Sequence, residues 1–369
     1  PEPTLPGPDW LLLKTSYCGI CGSDLKQVFL DGARDNPLTS FITFPHVMGH
    51  EIVGRVLEAG ADVRDLPRDT RVIAYPWLSC EVRGLPPCEA CQAGALMLCR
   101  NFRGGDIAPG MHLGTCKDLP GGFAPIIAVH RSLCFPVPDA VETSEAALAD
   151  PFAVALHAVQ KAPPRPGEKV LVVGCGTLGL LVGHIISRLY PGVDVIGLDR
   201  FPHIAPMAEQ MGFQRLLTCR GAELIETIGE LTESKVYPTM AGGPWLLGGV
   251  DRIYDTVGMS STLEADLRVV RAGGTIVVVG VATPARFEWT PLYFKEIHLI
   301  GSNGCAYETI DGTREHGFAT FLELAATSQV DAKPIITHTF PLSDYREAFL
   351  TAQDKVRHRS VKVLFELDR

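Results

Sequence analysis

The stretch Lys169-Val-Leu-Val-Val-Gly-Cys-Gly-Thr-Leu-Gly179 decides the fold of this 369-residue chain. Its apolar first half predicts a buried strand, and the glycine-rich turn that follows opens a predicted helix. In that setting Gly174 makes the tight turn, Gly176 lets the backbone approach a pyrophosphate, and Gly179 lets the helix pack closely on the strand. Unpaired N–H groups at the start of such a helix favour an anion. The stretch therefore predicts a dinucleotide site.

Asp199 closes the next predicted strand, 25 residues after Gly174. A carboxylate there accepts hydrogen bonds from both hydroxyls of an adenosine ribose and repels a 2′-phosphate. Arg200 is adjacent, and its guanidinium could partly neutralise that charge or stack on the adenine. We therefore expect NAD as the cofactor in preference to NADP.

Strand and helix patterns alternate beyond the glycine-rich turn, which is typical of a doubly wound α/β domain. Helices are predicted at 178–189, 203–211 and 261–271, and strands at 193–198, 251–255, 275–280 and 298–301. Before a turn-rich segment at 162–167, prolines, cysteines and short apolar runs predict an irregular β-rich domain, to which the chain returns after residue 318. We expect a zinc-binding domain at 1–160 with 303–369 and a cofactor domain at 161–302.

The composition excludes several classes of protein. Net charge is −9, from 33 Lys and Arg against 42 Asp and Glu, so a nucleic-acid or anionic-membrane surface would work against the overall field. The most apolar stretch, 170–186, is interrupted by four glycines and His184 and is a poor membrane span. Residues 1–10 lack the basic start and apolar run of a secretory signal. We expect neither nucleic acid nor a membrane as a partner.

Cys88, Cys91 and Cys99 place three thiols within twelve residues, and Cys80 lies eight residues upstream. The chain has eleven cysteines, an odd number that suits a disulfide framework poorly. Four thiolates close a tetrahedral zinc site and leave no coordination position open to substrate. The cluster therefore predicts a structural zinc. Thiols kept for a metal also imply a reducing compartment, with the cytoplasm as the default.

A second group of metal-type residues is spread over distant segments: Cys21, the pair His50-Glu51, and Asp150. Mixed thiolate, imidazole and carboxylate ligands suit a catalytic zinc, which keeps one position open to water or substrate. Spacing alone leaves other roles open, because a lone histidine is often a core or capping residue and Asp150 precedes a proline. We favour the metal, since a dinucleotide domain needs a second site to polarise its substrate.

At these residues the chain resembles the zinc-containing medium-chain dehydrogenase/reductases, the family of alcohol and polyol dehydrogenases. The resemblance rests on Cys18-Gly-Ile-Cys-Gly-Ser-Asp24, on Gly49-His-Glu-Ile-Val-Gly54 and on further matches through nearly the whole chain. It implies an α/β protein with a doubly wound Rossmann cofactor domain and a β-rich GroES-like catalytic domain. It also implies a catalytic zinc on Cys21, His50 and Asp150, with Glu51 as an alternating or neighbouring ligand.

The same resemblance assigns four further roles. It implies that Asp24 orients His50 through its other ring nitrogen and that Ser23 starts a proton relay. It also places Leu178 and Val281 beside the nicotinamide, where they would press the ring toward the zinc and exclude water.

Three positions depart from the family pattern. Leu85 stands where the first cysteine of the structural-zinc loop is usual, so Cys80 must substitute for it. Asp150 stands where cysteine or glutamate is common, and Lys26 where many relatives have a relay histidine.

The expected reaction is reversible hydride transfer between an alcohol and NAD, with two zinc ions per chain. Loop 27–44 and the residues near Trp77 and Phe102 are expected to line the pocket, and Phe29, Phe41, Phe44 and Trp77 favour a secondary or bulky alcohol; the resemblance adds polyols. The alternative is a non-enzymatic zinc protein that senses NAD(H) and carries one zinc. An exposed edge strand at 296–301 predicts a homodimer, and the resemblance extends this to a homotetramer.

Overall fold

A computed structural model gives the structure of residues 3–31, 36–283, 285–310 and 312–368. The chain divides into two compact units, Pro1–Ala153 with Gly304–Arg369 and Val154–Asn303. The predicted domain limits lie close to these bounds. They stay a prediction, because compactness alone does not show that either unit folds or functions independently.

Strands and helices alternate irregularly in the first unit and regularly in the second. In chain order the strands are β1 (Trp10–Gly19), β2 (Glu51–Ala59), β3 (Arg71–Ala74), β4 (Ile126–His130), β5 (Cys134–Pro136), β6 (Lys169–Val173), β7 (Asp194–Leu198), β8 (Arg215–Leu217), β9 (Val236–Tyr237), β10 (Trp245–Leu246), β11 (Val250–Asp255), β12 (Val270–Val278), β13 (His298–Gly301), β14 (Tyr307–Ile310), β15 (Thr313–His316), β16 (Ile336–Pro341) and β17 (Lys362–Glu366). The helices are α1 (Gly22–Val28), α2 (Glu89–Gln92), α3 (Thr143–Ala146), α4 (Ala149–Lys161), α5 (Thr177–Leu189), α6 (Ala205–Gln210), α7 (Ala222–Leu231), α8 (Ser260–Val269), α9 (Thr290–Phe294), α10 (Gly317–Ala326), α11 (Tyr345–Gln353) and α12 (Lys355–His358).

The first unit is built on a seven-stranded, largely antiparallel sheet in the order β16-β17-β1-β2-β3-β5, with β4 also paired to β1. β1 is central, and most of its residues are buried, including its apolar start Trp10-Leu-Leu-Leu13. At its other end, Gly19 lies opposite Glu51 of β2 and Leu364 of β17. The first and last strands of the chain therefore meet at the end of β1 that leads into α1.

The second unit is a six-stranded parallel sheet in the order β13-β12-β11-β6-β7-β8. Buried apolar residues of its strands and helices form one core, among them Leu171, Ile253 and Ile276 from the sheet and Ile228 from α7. The strand order reverses between β6 and β11. Ligands of doubly wound sheets bind at the carboxyl ends of the strands at such a reversal, and the glycine-rich turn follows β6 there.

Most predicted elements of the second unit match the observed ones to within a few residues. β8, α7, α9 and the short β9–β10 hairpin have no counterpart in the prediction. The predicted helix to residue 271 ends at Val269, and β12 begins at once at Val270. Gly273 takes a positive φ of +65° in β12, which glycine adopts readily. Among the described residues, no helix is both long and apolar enough to span a membrane.

Candidate active site and metal centres

Cys21, His50 and Glu51 converge in the first unit where β1 ends and β2 begins. Cys21 is the N-cap residue of α1, and Glu51 starts β2 opposite Gly19. A side chain at position 19 would collide with the Glu51 carboxylate, so this close approach requires glycine. One ligand atom from each of the three residues lies within 4.8 Å of the other two. Thiolate, imidazole and carboxylate form a donor set that fits zinc.

Asp24 is positioned to hold both Cys21 and His50. It is fully buried, and its Oδ2 accepts a hydrogen bond from the Cys21 backbone N–H at 2.9 Å. Its Oδ1 lies 3.6 Å from His50 Nδ1. Burial raises the pKa of Asp24, but the facing His50 more than offsets this and holds the pKa below its usual value. Against the effect of burial, Asp24 raises the pKa of His50. With Nδ1 facing a carboxylate, Nε2 is the nitrogen left for a metal.

Lys362 of β17 pairs with Glu51 in the interior. Its Nζ lies 2.7 Å and 2.5 Å from the two Glu51 carboxylate oxygens and donates to the Ile20 carbonyl at 3.1 Å. Both side chains are 2% exposed. Burial lowers the pKa of Lys362, but the Glu51 charge outweighs it and the pKa is raised. The last strand therefore fixes the carboxylate of the metal cluster.

Asp150, the second residue of α4, is a buried carboxyl with an unusual environment. It is 8% exposed, and burial raises its pKa to about 7. His50 and Lys362 lower that pKa, and Glu51 raises it. Over the described parts of the chain, the side chain makes no hydrogen bond or ion pair. Buried carboxylates are normally paired or bound to a metal, so this one fits a cation close to Cys21 and His50, although it does not belong to the group within 4.8 Å.

Cys80, Cys88, Cys91 and Cys99 form a second cluster, in the lobe between β3 and β4, with all four sulfurs within 4.8 Å of one another. The Sγ atoms of Cys80 and Cys99 are 3.6 Å apart, as are those of Cys88 and Cys91. A disulfide would need about 2.05 Å, whereas four thiolates at ~2.3 Å from one zinc stand about 3.8 Å apart. The cluster therefore fits a tetrahedral zinc.

N–H groups of the backbone and of one side-chain amide donate hydrogen bonds to sulfur atoms in this lobe. Cys80 Sγ accepts hydrogen bonds from Cys88 N–H at 3.3 Å and from Asn101 Nδ2 at 3.2 Å. Burial raises the pKa of Cys88, but hydrogen bonds, first among them that from Arg100 N–H, lower it to about 6. Burial raises the pKa of Cys91 to about 11.

Arg83, in the connection between Cys80 and Cys88, holds the lobe together. Its guanidinium is fully buried and donates to the carbonyls of Leu78 at 2.9 Å, Gly104 at 2.8 Å and Gly110 at 2.5 Å. One side chain therefore joins the start of the lobe to the segment that leads to His112.

A row of aromatic rings extends from His50. His112 lies 4.8 Å from His50 between ring centroids, Trp77 lies 5.9 Å from His112, Phe102 lies 5.8 Å from Trp77, and Phe41 lies 5.7 Å from Phe102. Three predicted lining residues, Phe41, Trp77 and Phe102, thus belong to one row of aromatic rings that leads from His50.

The other two predicted lining residues are at the surface. Phe44 is 76% exposed and packs on His46, and Phe29 is 40% exposed. The part of the predicted lining loop at 32–35 lies outside the described residues.

The glycine-rich turn in the second unit has the geometry of a dinucleotide loop. Gly174 takes a φ of +82°, Gly176 is the N-cap of α5, and a side chain at Gly179 would collide with the Gly174 carbonyl. The Thr256 hydroxyl donates to the Gly174 carbonyl at 2.8 Å. Backbone conformation and close packing thus account for glycine at two of the three positions.

Asp199 stands against this turn at the end of β7. Its Oδ2 accepts from the Cys175 N–H at 2.7 Å and its Oδ1 from the Phe201 N–H at 2.9 Å. The Arg200 guanidinium lies 4.5 Å from the centre of the Phe201 ring. The carboxylate is therefore held beside the glycines, and the arginine stacks on its neighbour.

The remaining predicted residues occupy both units. Ser23 is exposed in the first turn of α1. In the second unit, Leu178 lies half-buried in the first turn of α5, and Val281 follows β12 and is 65% exposed.

A parallel dinucleotide sheet in one unit and a thiolate–imidazole–carboxylate cluster in the other define a zinc-dependent nicotinamide oxidoreductase. Two family models match the chain: the alcohol dehydrogenase GroES-like domain at residues 7–139 and the zinc-binding dehydrogenase domain at 178–323. The chain belongs to the zinc-containing medium-chain dehydrogenase/reductases, the family of alcohol and polyol dehydrogenases.

Individual relatives agree over nearly the full length. L-idonate 5-dehydrogenase of Vitis vinifera is 28% identical over 98% of this chain and 89% of its own. The crystal structure of 2R,3R-butanediol dehydrogenase from Bacillus subtilis has a TM-score of 0.76 at 26% identity, covering 100% of this chain and 95% of that one. A candidate zinc-binding dehydrogenase from Sinorhizobium meliloti 1021, bound to NADP, has a TM-score of 0.75 at 27% identity, covering 99% and 93%.

These matches confirm the predicted family, fold class and enzyme class: the protein is an alcohol or polyol oxidoreductase that uses zinc and a nicotinamide cofactor. They give no support to the non-enzymatic alternative. The roles of individual residues stay predictions.

The sequence analysis assigns no role to Lys362 or His112. Lys362 lies in a segment, Val361 to Val363, that contributes to the resemblance. No motif marks His112, whose segment is held near the cluster by backbone pairing with the segment around Trp77.

Proposed function

We propose that the chain oxidises a secondary alcohol or polyol with NAD, and reduces the corresponding carbonyl, with one catalytic and one structural zinc. The observation that carries this proposal is the convergence of Cys21, His50 and Glu51 within 4.8 Å, near the buried carboxyl of Asp150, which interacts electrostatically with His50. Bound zinc acts as a Lewis acid that polarises a substrate oxygen and lowers the pKa of an alcohol.

The residues of the first unit have distinct tasks. Cys21, His50 and Asp150 hold the metal, with Glu51 as the alternating or neighbouring ligand that Lys362 keeps in place. Asp24 engages His50 Nδ1 and so presents Nε2. The Ser23 hydroxyl would accept the proton of the substrate alcohol while releasing its own proton toward solvent, and its exposure in α1 supports such a path.

The residues of the second unit bind and orient the cofactor. The helix N-terminus at Gly176 receives the pyrophosphate, and Asp199 accepts hydrogen bonds from the ribose hydroxyls. Leu178 and Val281 exclude water beside the nicotinamide. The carboxylate of Asp199 favours NAD, and the stacking of Arg200 on Phe201 supports this, because it draws the guanidinium away from a 2′-phosphate.

Cys80, Cys88, Cys91 and Cys99 hold the structural zinc, whose binding energy contributes to folding of the lobe. For partners we propose small alcohols and carbonyls and a second copy of the chain. The cytoplasm stays the proposed location, because eleven free thiols suit a reducing compartment.

The test is a panel of alcohols and polyols assayed for NADH production, with zinc measured on the same preparation. Cys21→Ala should lose at least 99% of the activity, lose one of two zinc ions and still bind NAD. Cys219→Ala, a half-buried thiol outside both clusters, is the matched control and should keep activity and both zinc ions. Retention of a tenth of the wild-type activity by Cys21→Ala contradicts the metal assignment.

A further inference from the structure

His112 stands beside the metal cluster without being part of it. Its ring centroid lies 4.8 Å from that of His50, and its backbone bridges to Trp77. It is not among the residues whose ligand atoms gather within 4.8 Å, namely Cys21, His50 and Glu51. The proposed metal ligands are Cys21, His50 and Asp150, with Glu51, so His112 is a polar group beside the cluster to which the proposed metal site assigns no role.

The hydrogen bond of His112 fixes which nitrogen carries the proton. Nδ1 lies 2.7 Å from the Leu113 carbonyl oxygen. A carbonyl only accepts, so Nδ1 carries the hydrogen and donates it. In a neutral imidazole the other nitrogen, Nε2, then has a free lone pair. Across the described chain, no residue hydrogen-bonds to this Nε2, and the ring is only partly exposed.

The residues around His112 are mainly apolar, so its Nε2 is a polar atom in an apolar setting. Trp77 and Phe102 continue the row of aromatic rings from His112 and are 8% and 6% exposed. The surfaces of their side chains are mostly hydrocarbon. A pocket that is mainly apolar gains specificity from a few placed polar groups. A site built to hydrogen-bond a substrate hydroxyl also discriminates strongly against the analogue without it.

We propose that His112 Nε2 accepts a hydrogen bond from a second hydroxyl of the substrate, so that the site selects vicinal diols and polyols over simple secondary alcohols. This inference rests on the proposed function, since it assigns the substrate class of the same site. The reacting oxygen is held beside His50, and the His112 ring is 4.8 Å from that ring. A hydroxyl on the carbon next to the reacting carbon is therefore the group best placed to meet it.

Two substitutions test the roles of the two ring nitrogens of His112 separately. His112→Asn keeps an N–H near the position of Nδ1 for the Leu113 carbonyl and removes the acceptor at Nε2. His112→Gln keeps a carbonyl oxygen near the position of Nε2 and gives up the bond to Leu113. His338→Asn, on edge strand β16 and outside both metal clusters, is the matched control.

The experiment compares kcat/KM for 2,3-butanediol and 2-butanol with NAD, using the zinc-loaded enzyme. Wild type should prefer the diol. His112→Asn should lower that preference at least tenfold, mainly through KM of the diol, because the bond forms in both ground and transition states. His112→Gln should retain part of the preference, and His338→Asn all of it.

Each outcome has a defined meaning. A wild type without preference for the diol, or a His112→Asn variant that changes both substrates equally, overturns the inference and leaves the proposed function standing. A wild type that turns over no alcohol or polyol with either cofactor overturns the proposed function itself.

If the His112→Asn variant fails to fold or loses zinc, a second measurement on the wild-type enzyme tests the same inference. In ¹⁵N-histidine NMR of the wild-type holoenzyme, His112 should show the Nδ1–H tautomer, and 2,3-butanediol should shift its Nε2 signal whereas 2-butanol should not. The same response to both ligands, or to neither, overturns the inference.

Discussion

At the scale of single residues, Asp199 is expected to determine cofactor choice. Its two carboxylate oxygens are held by the N–H groups of Cys175 and Phe201, so the charge is held in place beside the glycine-rich turn. Asp199→Ala should weaken NAD about ten- to a hundredfold through lost charge-assisted hydrogen bonds, and should shift the NAD/NADP ratio of kcat/KM toward NADP.

Arg200 supplies the control for this prediction. If a freed Arg200 meets the phosphate, the double variant Asp199→Ala/Arg200→Ala should lose NAD affinity without gaining use of NADP. Steady-state kinetics with both cofactors measures this. A wild type that already prefers NADP would show that Arg200 governs the pocket.

A buried acid in the second unit makes stability depend on pH. Asp266 is 1% exposed, and burial together with Asp255 raises its pKa well above the usual value. A raised native pKa means that the unfolded chain releases this proton first as pH rises. The contribution of Asp266 to the free energy of unfolding is therefore most favourable below its usual pKa of about 4. Above that pH the free energy of unfolding falls by about 1.4 kcal/mol per pH unit until the pKa of the folded state is reached.

Asp266→Asn should remove this loss, because an amide can donate toward Asp255 without ionising. The variant should have a higher Tm than wild type, and the gap should be larger at pH 8 than at pH 5 by calorimetry. Asp139→Asn, which changes an exposed carboxylate, should show no such gap. A gap that shrinks toward pH 8 contradicts the prediction that Asp266 stays protonated in the folded protein above its usual pKa.

Sequence reasoning reaches some site residues and not others for a physical reason. Cys21, His50 and Glu51 sit in short local motifs, so their residue types and spacing already point to metal chemistry. Lys362 and His112 reach the cluster through strand pairing and a backbone bridge, with Lys362 311 positions after Glu51. Contacts between residues so far apart in the sequence produce no local periodicity or motif from which they could be predicted.

At the scale of elements, the lobe between β3 and β4 tests a cysteine that departs from the family pattern. Cys80→Ser should reduce zinc from two ions to one per chain and lower Tm, because a structural zinc contributes folding free energy. Cys116→Ser, a buried thiol outside the cluster, is the matched control and should keep both ions. Two zinc ions and an unchanged Tm in Cys80→Ser would exclude Cys80 as the fourth ligand.

Elements with strong periodicity were the predictable ones. β13 matches its expected bounds, and β6 leads into the glycine-rich turn as expected. α7 was not predicted, although Leu224, Ile225 and Ile228 have helical spacing. The strand before it, β8, has only three residues, which is too short for its sequence pattern to mark a new strand–helix unit. The β14–β15 hairpin docks by contacts remote in sequence: Arg314 donates to the Ala93 carbonyl at 2.5 Å.

At the scale of the whole molecule, β13 supports the proposed assembly. It is the edge strand of the six-stranded sheet, and Leu299 at its centre is 46% exposed. An uncovered edge presents unpaired backbone groups that a second copy can satisfy. Leu299→Lys should convert a dimer or tetramer to smaller species in light scattering. Leu350→Lys, which changes an exposed leucine on α11, should not. A monomeric wild type at micromolar concentration removes the proposal.

The pairing of β1 with β17 has a consequence for synthesis on the ribosome. Cys21 and His50 emerge early, but Cys18 meets its partner Phe365, and Glu51 the ammonium of Lys362, only after β17 has been made. The second unit, Val154–Asn303, is continuous in sequence, whereas the first unit is completed by the segment that follows it. The thiols of the first unit therefore spend much of translation without their final strand, and Glu51 without the ammonium that pairs with it.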